Sequence, residues 1–166
     1  MKKRIVAIIG NAAFLLLLSS FTFMEYAHKK PDFSGTWKLN ESMSELNEEF
    51  SFAPVQITIT QEKNMLTAER KSIFQGNEYT MASKYTLDGK ESKNKGFQDM
   101  EYVSVAQWSD DGKSLVIKAT FPMQDGGEMK SDDTYMIVEK QLTVKHHLNS
   151  SYGDVTEKWV FDKVEE

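Results

Sequence analysis

The chain has 166 residues, 40% hydrophobic and 27% charged, with no cysteine; this is a globular composition that excludes disulfides, thiolate metal sites, a cysteine nucleophile and a lipid-modified cysteine. Formal net charge is −5, and without residues 1–24 the remainder carries 17 basic against 25 acidic side chains, or −8. A domain of that sign is repelled by phosphate backbones, so nucleic acid is not an expected partner.

Residues 1–24 read as a secretory signal. Lys2, Lys3 and Arg4 form a basic start, and Ile5 to Phe23 is an apolar run interrupted by Asn11 and a few hydroxyl residues. The cleavage site is weakly marked, because Glu25-Tyr26-Ala27 puts an acid where a small residue belongs. An uncleaved anchor is the alternative, since about 20 apolar residues span a bilayer. Either way the expectation is an exported protein, periplasmic or extracellular, with no membrane span apart from the leader. Residues 25–31 are a linker ending at Pro31, and residues 32–166 form one domain.

The domain opens with alternation. Phe33, Gly35, Trp37 and Leu39 fall on one face of a strand, and Gly35 admits a close neighbour. Residues 41–53 break the pattern: Ser42-Met43-Ser44-Glu45 fits a capping box, with Met43, Leu46 and Phe50 at helical spacing. A short helical turn is expected there, either a lid over a cavity or a plug over the end of a core.

Strand and hairpin signals then repeat to the end. Val55, Ile57 and Ile59 alternate with polar residues; Leu66 and Ala68 share a face with Arg70 and Phe74; Tyr79, Met81, Ser83 and Tyr85 share another. Asp88-Gly89 marks a tight hairpin, and the lysine-rich residues 90–98 read as a loop. Tyr102, Ser104, Ala106 and Trp108 alternate next, then Leu115, Ile117, Ala119 and Phe121. Residues 129–138 form a strand with Tyr135 and Ile137 on one face; Leu142, Val144, His146 and Leu148 follow, and Trp159 and Phe161 lie on the last strand, Val155 to Val164. About nine strands joined by short turns, with no long helix, argue for an all-β antiparallel meander. Closure into an up-and-down barrel of 8–10 strands removes its edges.

Gly35-Thr36-Trp37 behind a leader, the Leu87-Asp88-Gly89-Lys90 turn and the closing Trp159-Val160-Phe161-Asp162-Lys163 resemble the lipocalin and fatty-acid-binding-protein (calycin) superfamily, nearest to small secreted bacterial lipocalin-like proteins. The resemblance implies that Trp37 packs at the closed base of a barrel under a basic side chain of the last strand, Lys163 or Lys158. Departures are also visible. The Arg-x-Tyr with which fatty-acid-binding proteins read a carboxylate near the end of the chain is missing, and no arginine follows Arg70. The resemblance therefore transfers a fold and not a ligand.

Candidate binding residues follow from the alternation. Arg70, the sole arginine outside the leader, needs a partner if it faces inward: a ligand carboxylate, or an internal acid such as Glu157. His146 and His147 point to opposite faces, so they do not ligate one metal together; the inward one, His146, contacts a ligand or sits satisfied in the core. Tyr79, Met81, Tyr85, Tyr102 and Trp108 line a cavity or fill a solid interior equally well, and the many methionines favour an adaptable one. Asp110-Asp111 and Asp132-Asp133 read as solvated acids. With no nucleophile motif, phosphate loop or zinc helix, no metal or cofactor is implied. Two readings lead: a carrier of a small apolar or amphipathic ligand, and a filled structural barrel that contacts an envelope protein. A hydrolase or isomerase using the cavity is the remaining alternative.

Overall fold

The computed structural model describes residues 29–96, 99–123 and 126–165, so the leader assigned to residues 1–24 and most of the linker lie outside the described residues. Ten strands follow one another: β1 Gly35–Leu39, β2 Gln56–Glu62, β3 Met65–Phe74, β4 Asn77–Thr86, β5 Glu91–Lys95, β6 Glu101–Trp108, β7 Ser114–Pro122, β8 Glu128–Val138, β9 Gln141–Ser150 and β10 Gly153–Lys163. All pair antiparallel in a single sheet, in the order β4-β3-β2-β1-β10-β9-β8-β7-β6-β5. The pairing of β1 with β10, Trp37 opposite Lys163, joins the two ends of the domain. What results is a nearly closed meander barrel.

Antiparallel order sends alternate turns to opposite ends. The start of β1 and the turns at 63–64, 87–90, 109–113 and 139–140 gather at one end, the base. The turns at 75–76 and 151–152, the end of β5, the start of β6, the end of β7 and the start of β8, with the long connection 40–55, form the other end, the mouth. Glu139 and Lys140 both take left-handed backbone, φ 50° and 71°, as a two-residue hairpin turn requires.

The base is packed solid. Phe33, Ile57, Leu115, Tyr135, Leu142 and Phe161 are fully buried around Trp37. The Trp37 indole donates to the Phe33 carbonyl at 2.8 Å, and Lys163 Nζ stands 5.3 Å from its ring centroid. Gly35 makes this possible. Its φ is +130°, and a Cβ there would meet the Lys163 side chain at 2.8 Å. Lys158, the other candidate for the basic side chain, pairs with Glu45 at 2.9 Å instead.

The short helical turn expected after β1 is present, while the loop reading of residues 90–98 and the capping box fail for identifiable reasons. Residues 91–95, read as loop, are β5; among them only Asn94 is buried, so no apolar alternation announces the strand. The helical turn after β1 is a single 3-10 turn, Glu41–Met43. Its cap is Asn40, whose Oδ1 accepts from the Met43 amide at 3.3 Å. Ser42 lies inside the turn, and Glu45 pairs with Lys158 of β10, so the Ser42–Glu45 capping box does not form. Strand pairing outcompetes the helix because Met43 and Phe50 stay exposed and offer no buried helical face.

No ladder joins β4 to β5; side chains close that seam. Asn94 Oδ1 accepts from the Lys84 amide at 2.7 Å and its Nδ2 donates to the Lys84 carbonyl at 3.0 Å, imitating a backbone pair. Ser92 Oγ accepts from the Thr86 amide at 3.1 Å, and Ser104 Oγ receives Asn94 Nδ2 at 3.0 Å. Asn94→Ala strands these buried groups. The expected loss is about 1–3 kcal/mol, read from the urea midpoint, with faster amide exchange at Lys84 and little change at Thr58 on β2.

Candidate functional site

Above the packed base the barrel is hollow. A cavity of about 640 Å³ opens toward the mouth, inside the range of about 300–1,000 Å³ that holds small molecules. Four methionines contribute to its wall, Met81, Met100, Met123 and Met129. Unbranched and polarisable, they adapt to irregular guests. Phe52 and Tyr152 stand at the opening.

Between hollow and solid halves lies a polar layer whose side chains come from β3, β4, β6 and β8 and meet across the interior. Arg70 of β3 donates from Nη2 to Tyr135 Oη at 2.7 Å and from Nη1 to Tyr85 Oη at 3.1 Å, with Ser83 Oγ at 3.4 Å. Asp133 Oδ2 is 3.9 Å from Nη2. Burial opposes the Arg70 charge, but Tyr135, Tyr85 and Asp133 outweigh it and hold its pKa well above the ordinary value. Burial likewise pushes the Tyr135 and Tyr102 phenols up, so both are neutral hydroxyls. Tyr102 Oη lies 2.6 Å from Ser83 Oγ, extending the layer to β6.

Register places a second acid-base group beside the first. His146 of β9 is directly opposite Asp133 on β8 and Glu157 on β10. Its Nδ1 lies 2.6 Å from Asp133 Oδ1, and its ring stacks on Trp159 at 4.4 Å. Asp133 thus joins Arg70 to His146.

Glu157 does different work. Its carboxylate accepts from the Asn47 amide at 2.8 Å, the Phe52 amide at 3.0 Å and the Trp159 indole at 3.0 Å. It staples the connection that carries Phe52 over the mouth. Burial raises its pKa, but the bonds from Asn47, Ser51, Trp159 and Phe52 together win and lower it. A carboxylate so lowered contributes stability that is present above the unfolded value, about 4.3, and is lost as pH falls through the folded value. Glu157→Gln removes that contribution. Its urea midpoint is expected below that of the unmodified protein at pH 7, and the gap is expected to close as pH drops below about 4.

Arg70, Met81, Tyr85, Tyr102 and His146 come together on the cavity wall. Trp108 does not. It lies at the base, stacked on Phe33 at 5.8 Å, with Lys30 Nζ 5.1 Å from its ring. Tyr79 shares the inward parity of Met81 but sits near the mouth end of β4, opposite Ser72, 38% exposed and away from the cavity wall. The internal acid beside Arg70 is Asp133, not Glu157. Asp133 is 7% exposed while its neighbour Asp132 is exposed, so the reading of this pair as solvated holds for one of the two. Extending the Tyr135–Ile137 face backward by twos reaches Asp133, Ser131 and Met129, and that signal was present in the sequence. Phe52 had none, because it reaches the mouth through irregular backbone.

No family model and no curated protein sequence matches the chain. Solved structures do. Zebrafish ileal bile acid-binding protein complexed with cholic acid aligns over 80% of this chain and 98% of its own, with a TM-score of 0.56 and 17% identity. A secretory abundant heat soluble protein from Ramazzottius varieornatus gives a TM-score of 0.57 at 16% identity, over 80% of this chain and 95% of its own. The fold is that of the fatty-acid-binding-protein, calycin-like barrels. Apo lipid binding protein 8 of Caenorhabditis elegans shares it at a TM-score of 0.51 and 13% identity, over 80% of this chain and 95% of its own. At such identities the calycin-like likeness concerns backbone alone, and nothing in it supports the bacterial part of the resemblance.

Proposed function

We propose that this barrel binds and carries a small apolar or amphipathic molecule in its mouth half, and that it does so outside the cytoplasm. One observation carries the reading: the interior is solid below the Arg70 layer and hollow above it, with about 640 Å³ lined largely by methionine, aromatic and aliphatic side chains. A purely structural barrel has no use for such a volume, since an empty cavity forgoes packing energy. The fold supports the reading too, because two of the similar structures are described as bile acid-binding and lipid binding proteins. Export rests on the leader sequence.

The test is uptake of an environment-sensitive naphthalene sulfonate dye, followed by displacement with alkyl compounds and native mass spectrometry of the complex. Saturable uptake at one site per chain is expected. Failure of the dye and of every alkyl compound to bind would leave the envelope-contact reading in its place. The exposed cluster of Phe50, Phe52 and Phe74, with ring centroids 4.9 Å and 5.9 Å apart, would then be the surface to pursue.

A further inference from the structure

Among the described residues, His146 Nε2 is the one buried side-chain nitrogen or oxygen with no hydrogen-bond partner. Buried polar atoms are nearly always paired, and an orphan marks either strain or a missing partner. The ring around it is not loosely held. Asp133 fixes Nδ1 at 2.6 Å, and Trp159 stacks on the face at 4.4 Å. The imidazole belongs to the cavity wall, with Phe52 5.9 Å away across the mouth.

We propose that the cavity selects a neutral apolar molecule bearing a hydroxyl group, whose O–H donates to His146 Nε2. This rests on the carrier reading and names its ligand class. The direction of the bond follows for a neutral ring whose Nδ1–H is donated to Asp133. A ring that donates Nδ1–H to a carboxylate presents Nε2 as an acceptor, and an acceptor requires a donor from the guest.

With the His146 ring neutral, charge bookkeeping disfavours the other head groups. The Arg70 guanidinium already bonds Tyr135, Tyr85 and Ser83 and is balanced by Asp133. A ligand carboxylate would bring a second anion against a single buried cation. A ligand ammonium would bring a second cation beside Arg70. Either leaves an uncompensated charge in a poorly hydrated site, which is costly. A hydroxyl leaves the Arg70–Asp133–His146 balance unchanged and satisfies the one open atom. A guest reaching Nε2 replaces Phe52 as the neighbour of the ring.

The experiment compares dodecan-1-ol, dodecanoate and dodecane by displacement of the same dye from the full chain. It is run beside ¹⁵N spectra of the histidine side chains in the unmodified protein. The alcohol is expected to bind about tenfold more tightly than either relative, a difference of about 1.4 kcal/mol. The His146 Nε2 resonance is expected to have the position of an unprotonated ring nitrogen and to move when the alcohol is added, and a protonated Nε2 in the ligand-free protein overturns the proposal. His146→Phe keeps a ring on Trp159 and is expected to erase the preference for the alcohol over dodecane. That variant also strips Asp133 of its N–H donor, so the spectra of the unmodified protein carry the decision if it folds poorly. Tighter binding of dodecanoate, equal binding of alcohol and alkane, or an unmoved Nε2 resonance overturns the proposal while the carrier reading stands. Failure of the dye and all three compounds to bind overturns both.

Discussion

Trp37→Ala is expected to lower the unfolding free energy by about 3–5 kcal/mol, the range for a large aromatic truncated in a core. Trp37 is 2% exposed among fully buried neighbours, and the chain has no disulfide to offset the loss. Truncation also leaves the Phe33 carbonyl without its indole donor and takes the ring from beneath Lys163. The cation–π part of the loss is small, about 0.5–1 kcal/mol, so Lys163→Met is expected to cost far less than Trp37→Ala. Urea unfolding at pH 7 reads both. A Trp37→Ala midpoint within error of the unmodified protein would show that the base is not held together around this ring.

Asp133→Ala is expected to cost a similar amount, about 3–5 kcal/mol, for a different reason. Breaking a buried pair from one side leaves an uncompensated charge. Arg70 would keep its phenol and hydroxyl partners but lose the carboxylate at 3.9 Å, and His146 would lose the 2.6 Å contact at Nδ1. The control lies one residue away. Asp132 points outward, 3.9 Å from Lys118 in a solvated pair, and Asp132→Ala is expected to stay within about 0.5 kcal/mol of the unmodified protein. The contrast between neighbours in the same strand makes the measurement decisive. Equal losses would mean that β8 does not alternate as described.

Neighbouring acids with opposite fates also show what alternation does and does not convey. Period-two patterning places Trp37, Tyr85, Tyr102, His146 and Trp159 inside, because each side chain is committed to a face by its number alone. The up-and-down order was legible from the turns, and Asp88-Gly89 and Glu139-Lys140 both stand where the chain reverses. Depth along the barrel axis is another matter. Trp108 and Tyr79 share the inward parity of the cavity residues, yet one packs at the base and the other sits near the rim. Glu157 has the inner-face parity that alternation assigns it, but its height gives it to the connection over the mouth while Asp133 meets Arg70. Height depends on register between strands distant in sequence, and no local pattern encodes it. β5 is illegible for a related reason: an edge strand bonded through Asn94 and Ser92 needs few buried apolar side chains. The 3-10 turn and the path of Phe52 were set by pairing with β10, a contact over 100 residues away in the chain.

The measurement that bears most directly on a half-hollow interior is Ala119→Trp. Ala119 lies on the cavity wall and is 7% exposed. If the space is empty and receives a guest, the indole fills it. Dye uptake is then expected to fall at least tenfold while the urea midpoint changes little. If that half of the barrel is packed, the added rings overfill it. The midpoint would then drop by about 1–3 kcal/mol or more, with no dye binding in the unmodified protein to lose, and that result would contradict the account.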